Sequence, residues 1–388
     1  MVAHVDDSGA GRRSTVRLGF NGQVLLDPGF RGLTRYTTEL LREFSTRPGI
    51  ELHVFSRAIP VASHVTGIRA TVHVMEGGRE TVWLERDLPR ELSRTGLELF
   101  HAPADSGLPW SRPCPLVVTV HDSYARRHWR CLLPRVKQRA AYWRDEWTNR
   151  FRAAAVLTPS DTTRAELIEL GIAPAERIHR VYLAPAEVFG PEPRSEDSEV
   201  LARYDLMKPY VLYVGGYDER KNTHTLVGAF LDAELQGTSL VIAARKQWGF
   251  QSLVARFGNH RGFGSIRGIE AEPHEIPALY RHALFFANLS LWESFSFQVV
   301  EAMASGTPLL CSNRKALPEI AGSAAMFVNP EDRIAVVHSM QRLKREASLR
   351  EELRGKGLER ARAFSWRKTA DETLAIYTRV LETHGSAE

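Results

Sequence analysis

The sequence predicts an α/β chain built as two doubly wound domains that face each other across a cleft. Three observations carry that prediction. Short apolar runs alternate with segments of helical periodicity along the chain, the pattern of parallel sheets covered by helices on both faces. A stretch rich in proline and charge, residues 183–210, interrupts the alternation near the middle. The length, 388 residues, is more than one ordinary core organises and about right for two domains.

The elements read in order as follows. Residues 1–14 are expected as a disordered lead-in, and this end carries no apolar core of signal-peptide length. "VRLGFNG" is a strand followed by a turn. The loop in "DPGFRGLTRYTTELL" carries Gly29 and Gly32, which suit either a close approach to a ligand or a simple flexible turn. "TRYTTELLREFSTR" has helical periodicity, and "IELHVFS" is again a strand. "LELFHAPA" and "PLVVTVHD" are apolar runs that end in polar residues. "AAVLTPS" repeats that pattern, and "DTTRAELIELG" is a capped helix ending at Gly171. Beyond the proline-rich stretch, whose middle reads as a linker, a second unit runs through "YVLYVGGY", "TLVGAFLDA", "TSLVIAA", "EIPALYRHA", "LFFANLS" and "AAMFVNP". It closes on an amphipathic helix, "SWRKTADETLAIYTRVLETH".

Composition removes several function classes. Hydrophobic residues make up 43% and charged residues 25%, as in soluble globular proteins. The three cysteines, Cys114, Cys131 and Cys311, are widely spaced, so neither a disulfide framework nor a zinc site is suggested, and a reducing cytoplasm fits. No window approaches a membrane span. The net charge of +5 allows an anionic ligand or surface, but no nucleic-acid motif accompanies it. No GxGxxG follows the first strand and no GxxxxGK[ST] occurs, which disfavours nicotinamide dehydrogenases and P-loop ATPases.

In open α/β sheets ligands bind beyond the carboxyl ends of strands. The residues there include Gly22, His121, Asp122, Ser160, Gly215, Gly216 and the surroundings of Glu293. "LWESFSFQVVEAMASGTPLLCS" holds Glu293 and Glu301 around a segment that has to be buried. A helix is expected there, with Ser296 at its N-cap, Gly306 in a left-handed C-cap and "PLLCS" as a strand beyond. Taken alone, both glutamates read as surface residues. Taken with a cleft, they would span roughly 12 Å if the stretch were helical, which suits a long ligand rich in hydroxyls. In "VLYVGGYDERKN", two glycines follow a strand, and Arg220 and Lys221 stand at the mouth of the next helix. That is either a solvated turn or a diphosphate site. His121 is either a structural histidine or a group on the cleft floor.

Taken together, the glycine loop, His121–Asp122, the strand with Gly215–Gly216 and Arg220–Lys221, and the E-x7-E pair resemble the retaining glycosyltransferases of family 4, the group 1 glycosyl transferases. "ESFSFQVVEAMASGTPLLCSNRKALPEIAGSAAMFVNPED" is the most specific match. The resemblance implies a GT-B fold: two Rossmann-like domains, an acceptor-binding one over 15–188 and a nucleotide-sugar-binding one over 189–366. The helix 367–388 then crosses back toward the first domain.

It also implies roles. Arg220 and Lys221 match the pair that holds the donor diphosphate, Glu293 the contact to donor-sugar hydroxyls, and Glu301 the acceptor of ribose hydrogen bonds. His121 matches the cleft histidine near the transferred sugar, and Gly32 the loop beside phosphate and acceptor. Gly215, Gly216 and the run Ser294–Phe295–Ser296 complete the donor site. The chain departs from the family at Ser294 and Ser296, where glycines are usual. It departs again at Thr34, where a second glycine is common, and at Arg245–Lys246, where a strand-end glycine is missing.

The implied activity is transfer of a hexose (mannose, glucose or a deoxyhexose) from a GDP- or UDP-sugar to an acceptor hydroxyl, with retention and without metal or cofactor. The implied setting is bacterial synthesis of surface polysaccharide, glycolipid or natural-product glycosides in the cytoplasm. A nucleotide-sugar epimerase and a non-catalytic scaffold are the alternatives. The acceptor is a sugar or a lipid-linked glycan. The basic, aromatic stretch 126–144, "RRHWRCLLPRVKQRAAYWR", suggests peripheral contact with the anionic inner face of the cell membrane through residues such as Arg126 and Arg127.

Overall fold

A computed structural model of the chain describes residues 15–29, 32–76, 78–128, 136–206, 209–244 and 248–385. The expected lead-in 1–14, the pair Arg245–Lys246 and positions 129–135 of the basic stretch lie outside the described residues.

The first half forms a seven-stranded sheet, all parallel, in the order β3-β2-β1-β4-β5-β6-β7. In chain order, β1 is Val16–Asn21, followed by α1, Gly32–Ser45. Then come β2, Ile50–Ser56, β3, Thr71–Val74, β4, Leu99–Ala102, and β5, Leu116–Thr119. Helix α2, Val136–Arg152, leads into β6, Ala153–Thr158, and α3, Asp161–Glu169, into β7, Ile178–Arg180. Every residue of β4 and β5 is buried, as expected where helices cover both faces of a parallel sheet. Ser160 caps α3 as the sequence predicts, its hydroxyl accepting from the Thr163 amide at 3.1 Å.

The second half forms a six-stranded parallel sheet, β10-β9-β8-β11-β12-β13. Its strands are β8, Tyr210–Val214, β9, Ser239–Ala243, β10, Ile266–Ile269, β11, Phe285–Asn288, β12, Leu309–Ser312, and β13, Ala325–Val328. The helices that matter to the site are α4, Thr223–Ala233, and α5, Phe297–Ala304. The last helix, α6, spans Trp366–Gly385.

Helix α6 lies against the first half of the chain. The Tyr377 hydroxyl meets His101 Nδ1 at 2.6 Å, and Thr369 donates to the Tyr182 carbonyl at 2.7 Å. The proline-rich stretch read as a linker is more ordered than that word implies. It holds a short helix, Asp197–Arg203, and buried Asp197 is gripped by Arg281 and His282. Burial alone would raise the Asp197 pKa, but Arg281, the Arg194 amide and His282 bring it down to about 2.

Candidate active site

Both sheets reverse strand order next to their first strand, at β1/β4 and at β8/β11, which is where open α/β sheets hold ligands. A cavity of about 460 Å³ lies there, between the two halves. Gly32, His121 and Asp122 line it from one side, and Arg220, Glu293 and Ser294–Phe295–Ser296 from the other. Two roomier hollows, about 610 and 820 Å³, open among residues at the amino ends of the second sheet's strands, the wrong end for this chemistry.

Glu293 stands a few residues after β11 and is 6% exposed. Burying a carboxylate costs several kcal/mol unless it is paired, and here it is paired. It accepts from Lys221 Nζ at 2.7 Å and from the Ser290 hydroxyl at 2.8 Å. Glu301, on α5, is 4% exposed and ion-paired with Arg35 of α1, while the Tyr280 hydroxyl donates to it at 3.4 Å. Glu301 and Lys221 are not among the residues lining the cavity. The surface reading of both glutamates therefore fails, and protein groups satisfy both. Arg35 is the residue that the sequence did not single out. It arrives from 266 positions away, so no local pattern points to it.

Arg220 and Lys221 occupy a short helical turn, Glu219–Lys221, between β8 and α4. The solvated-turn reading is corrected here, because their side chains are 28% and 12% exposed. Arg220 meets Asp218 at 3.0 Å and Asp122 at 3.5 Å. Burial opposes its charge, but Glu293, Asp218 and Asp122 together hold its pKa above the ordinary value. Burial raises Asp122, which accepts from the Tyr124 amide at 2.8 Å and the Ser294 hydroxyl at 3.0 Å. Gly215 has φ +151, and a Cβ there would come 2.8 Å from the Tyr213 hydroxyl, so glycine is required. Gly216 accepts from the same hydroxyl at 2.6 Å. Neither glycine lines the cavity; both shape the turn behind Arg220.

His121 sits on the cavity floor with its amide held by Asp105 at 2.8 Å. Its Nε2 is 3.0 Å from the Pro103 carbonyl, which can only accept, so Nε2 carries the proton and Nδ1 is an acceptor. Burial lowers its pKa, which keeps the ring neutral. Gly32 begins α1 with its Cβ position 3.4 Å from the Phe297 ring, so the helix start packs directly on α5. Thr34, where a glycine was expected, is buried and bonds the Val24 carbonyl at 3.1 Å, anchoring the loop.

Ser296 precedes α5, but it makes no capping hydrogen bond. Its φ of +80 is sparsely populated for a side-chain-bearing residue. Its hydroxyl donates to Gln298 at 3.3 Å and accepts from Asn288 at 3.2 Å. Within the basic stretch the expectation is corrected at Arg126 alone. Arg126 is buried between Glu146, at 2.9 Å, and Asp105, at 3.4 Å, so it does not face a membrane, whereas Arg127 is exposed and pairs with Glu169.

Comparison with known proteins bears on this arrangement. Residues 30–184 match the family described as Glycosyltransferase Family 4, and residues 196–360 match Glycosyl transferases group 1. O-antigen chain mannosyltransferase B of Escherichia coli is 33% identical over 231 residues, 58% of this chain and 60% of that protein. The chain thus spans less than two thirds of that relative's length. Alpha-D-kanosaminyltransferase of Streptomyces kanamyceticus is 26% identical over 86% of this chain and 91% of its own. A glycosyltransferase structure from Rickettsia africae superposes with a TM-score of 0.74 at 13% identity, covering 95% of this chain and 99% of that one. At that identity the likeness is one of fold.

Proposed function

The chain belongs to the family 4, group 1 glycosyltransferases with the GT-B fold, and from that premise we propose that it transfers a hexose from a nucleoside-diphosphate sugar to an acceptor hydroxyl with retention of configuration. One observation carries the proposal: His121, Arg220 and the Lys221–Glu293 pair converge at the carboxyl ends of two facing sheets.

The barrier lies in breaking the sugar–phosphate bond while negative charge grows on the leaving diphosphate. Arg220 and Lys221 stabilise that charge inside a partly closed cleft, where such terms are large. The sugar hydroxyls donate to Glu293 and take over from Lys221, whose ammonium turns to the phosphate. Glu301 accepts from the ribose in place of Arg35. His121 Nδ1 accepts from a hydroxyl of the transferred sugar. The acceptor attacks on the face the diphosphate leaves, and a phosphate oxygen takes its proton. Because side-chain cations carry the neutralisation, activity is expected to survive EDTA; complete loss with rescue by manganese would overturn this metal-free mechanism.

Mannose, glucose and deoxyhexoses on GDP or UDP are the donors to try first, since the Escherichia coli relative is a mannosyltransferase by name. The acceptor class we propose is a growing surface glycan, a glycolipid or a natural-product glycoside. A screen of nucleotide sugars for slow hydrolysis, followed by mass spectrometry of products formed with lysate lipids, tests the reading. A donor that is isomerised with no acceptor present would mark an epimerase instead. A chain that binds nucleotide but turns over no donor would mark a scaffold.

A further inference from the structure

Helix α2 has two faces of opposite character. Its inner face holds Glu146, Thr148 and Asn149, all buried. Glu146 pairs with Arg126, and Asn149 Nδ2 donates to the Asp105 carbonyl at 2.9 Å. Asp105 in turn fixes the His121 amide. This face therefore braces the cleft floor.

Its outer face carries Trp143, Trp147 and Phe151 at 44%, 58% and 49% exposure. Residues four apart on a helix share one face, so the three rings form a stripe along α2. The Trp147 and Phe151 ring centres are 5.9 Å apart. Trp110, 42% exposed, extends the patch, with the Arg152 guanidinium 4.2 Å over its ring. Four of the eight large exposed hydrophobics among the described residues thus gather here, and such clustering marks an interaction site where scattered singles would not.

The fringe is cationic. Arg112 donates to the Phe151 carbonyl, Arg150 to the Gly171 carbonyl, and Arg177 lies 3.5 Å from the Ala153 carbonyl. None of these three, nor Arg152, has a carboxylate partner among the described residues. Burial and the neighbouring Arg152 and Arg177 hold the Arg112 pKa below its ordinary value, a sign of like charges left uncompensated. The nearby acids Glu85 and Asp145 are both engaged by Arg144.

We propose that the outer face of α2, with Trp110 and its arginine fringe, rests on an anionic lipid leaflet. Indole rings settle at headgroup depth, and guanidiniums around them meet lipid phosphates. A second copy of the chain is a poorer occupant, since a two-fold contact through this patch would set arginine fringe against arginine fringe. The surface does not include Arg126, which is buried. It places the membrane behind the brace that holds His121, so a lipid-linked acceptor would enter a cleft already fixed at the bilayer. Only that last step rests on the proposed activity.

Sedimentation with phosphatidylglycerol-containing vesicles and with pure phosphatidylcholine vesicles tests the proposal. Wild type should pellet with the anionic vesicles at low salt, be released at high salt, and ignore the neutral ones. Trp147→Ser with Phe151→Ser should abolish pelleting. Arg112→Gln with Arg150→Gln should weaken it, by roughly fivefold per arginine. Circular dichroism guards against misfolding, and donor hydrolysis without vesicles should be unchanged in both variants. Indifference of the wild type to anionic vesicles, equal binding to neutral ones, or variants that bind as wild type would each overturn it. So would a wild-type dimer that Trp147→Ser converts to monomer. Failure of donor hydrolysis in every variant and in wild type would instead count against the transferase reading, leaving the vesicle result to stand alone.

Discussion

Lys221 and Arg220 are neighbours in sequence, yet their substitutions should read out differently. Lys221→Ala strips the partner from a carboxylate that is 6% exposed, and breaking such a pair costs about 3 kcal/mol. Ser290 remains to soften the loss. Arg220 is more exposed and Asp122 keeps other partners, so Arg220→Ala should cost well under that. Both should lower turnover about a hundredfold, as expected on losing a stabiliser of the leaving group. Denaturant melts beside single-turnover rates separate the two effects; near-normal turnover in either variant at saturating donor would remove it from the diphosphate site.

Glu301 allows a sharper test at the same scale. With Arg35→Ala it is buried without its cation, and the melting temperature should fall. Nucleoside diphosphate, whose ribose then replaces the lost partner, should raise the melting temperature of Arg35→Ala by more than it raises wild type. In calorimetry Glu301→Ala should weaken the nucleoside diphosphate, while Glu293→Ala should weaken only the sugar donor. Equal losses for both ligands at Glu293 would end that division of labour.

Elements were legible from sequence where they are continuously apolar, and hidden where polar residues interrupt them or distant partners fix them. The runs that became β1, β5, β8 and β11 bury both faces, so their composition alone reveals them. The strands β3, β7 and β10 stand at sheet edges and mix in polar side chains, so no continuous apolar run marks them. The start of α5 was located correctly, but the reason given was wrong. Ser296 occupies a backbone conformation suited to glycine, and a serine letter conceals that need.

Helix α3 shows the same limit at its cap. Ser160 was readable, but the Asp161 and Thr162 amides also take the Glu319 carboxylate from the other half of the chain, at 2.7 and 2.8 Å. An acid at a helix N-terminus contributes on the order of 1 kcal/mol. Glu319→Ala should therefore lower stability by about 1–2 kcal/mol once the capping bonds are included. Small-angle scattering should show the two halves moving apart. An unchanged scattering profile would mean that Glu319 caps α3 without coupling the halves.

At the scale of the whole molecule, the two halves are joined by polar contacts at the cleft and by α6. The second junction contains a buried chain of hydrogen bonds, Tyr377–His101–Thr119–Tyr36, with steps of 2.6, 2.8 and 2.9 Å. Tyr36 lies edge-on to His121 at 4.8 Å, so this chain links the last helix to the cleft floor. Sequence showed the helix and the histidines, but not that they meet, because 276 positions separate Tyr377 from His101.

That junction gives stability a defined pH dependence. Burial, helped by nearby His121, drops the His101 pKa to about 3, and burial lowers His121 as well. Unfolded, both imidazoles titrate near 6.5. Below that pH the unfolded chain binds protons that the folded chain refuses, so stability falls as pH falls, by about 1.4 kcal/mol per pH unit for each proton. The contribution is intact above pH 6.5 and is lost progressively down to about 3 for His101. His101→Gln keeps a donor and an acceptor beside Thr119 and Tyr377 but cannot ionise. It should flatten the profile between pH 6 and 4 by about one proton. Urea midpoints across that range, at constant ionic strength, measure the slope. If His101→Gln and wild type lose stability in parallel, His101 takes up a proton in the folded state and the buried chain tolerates the charge.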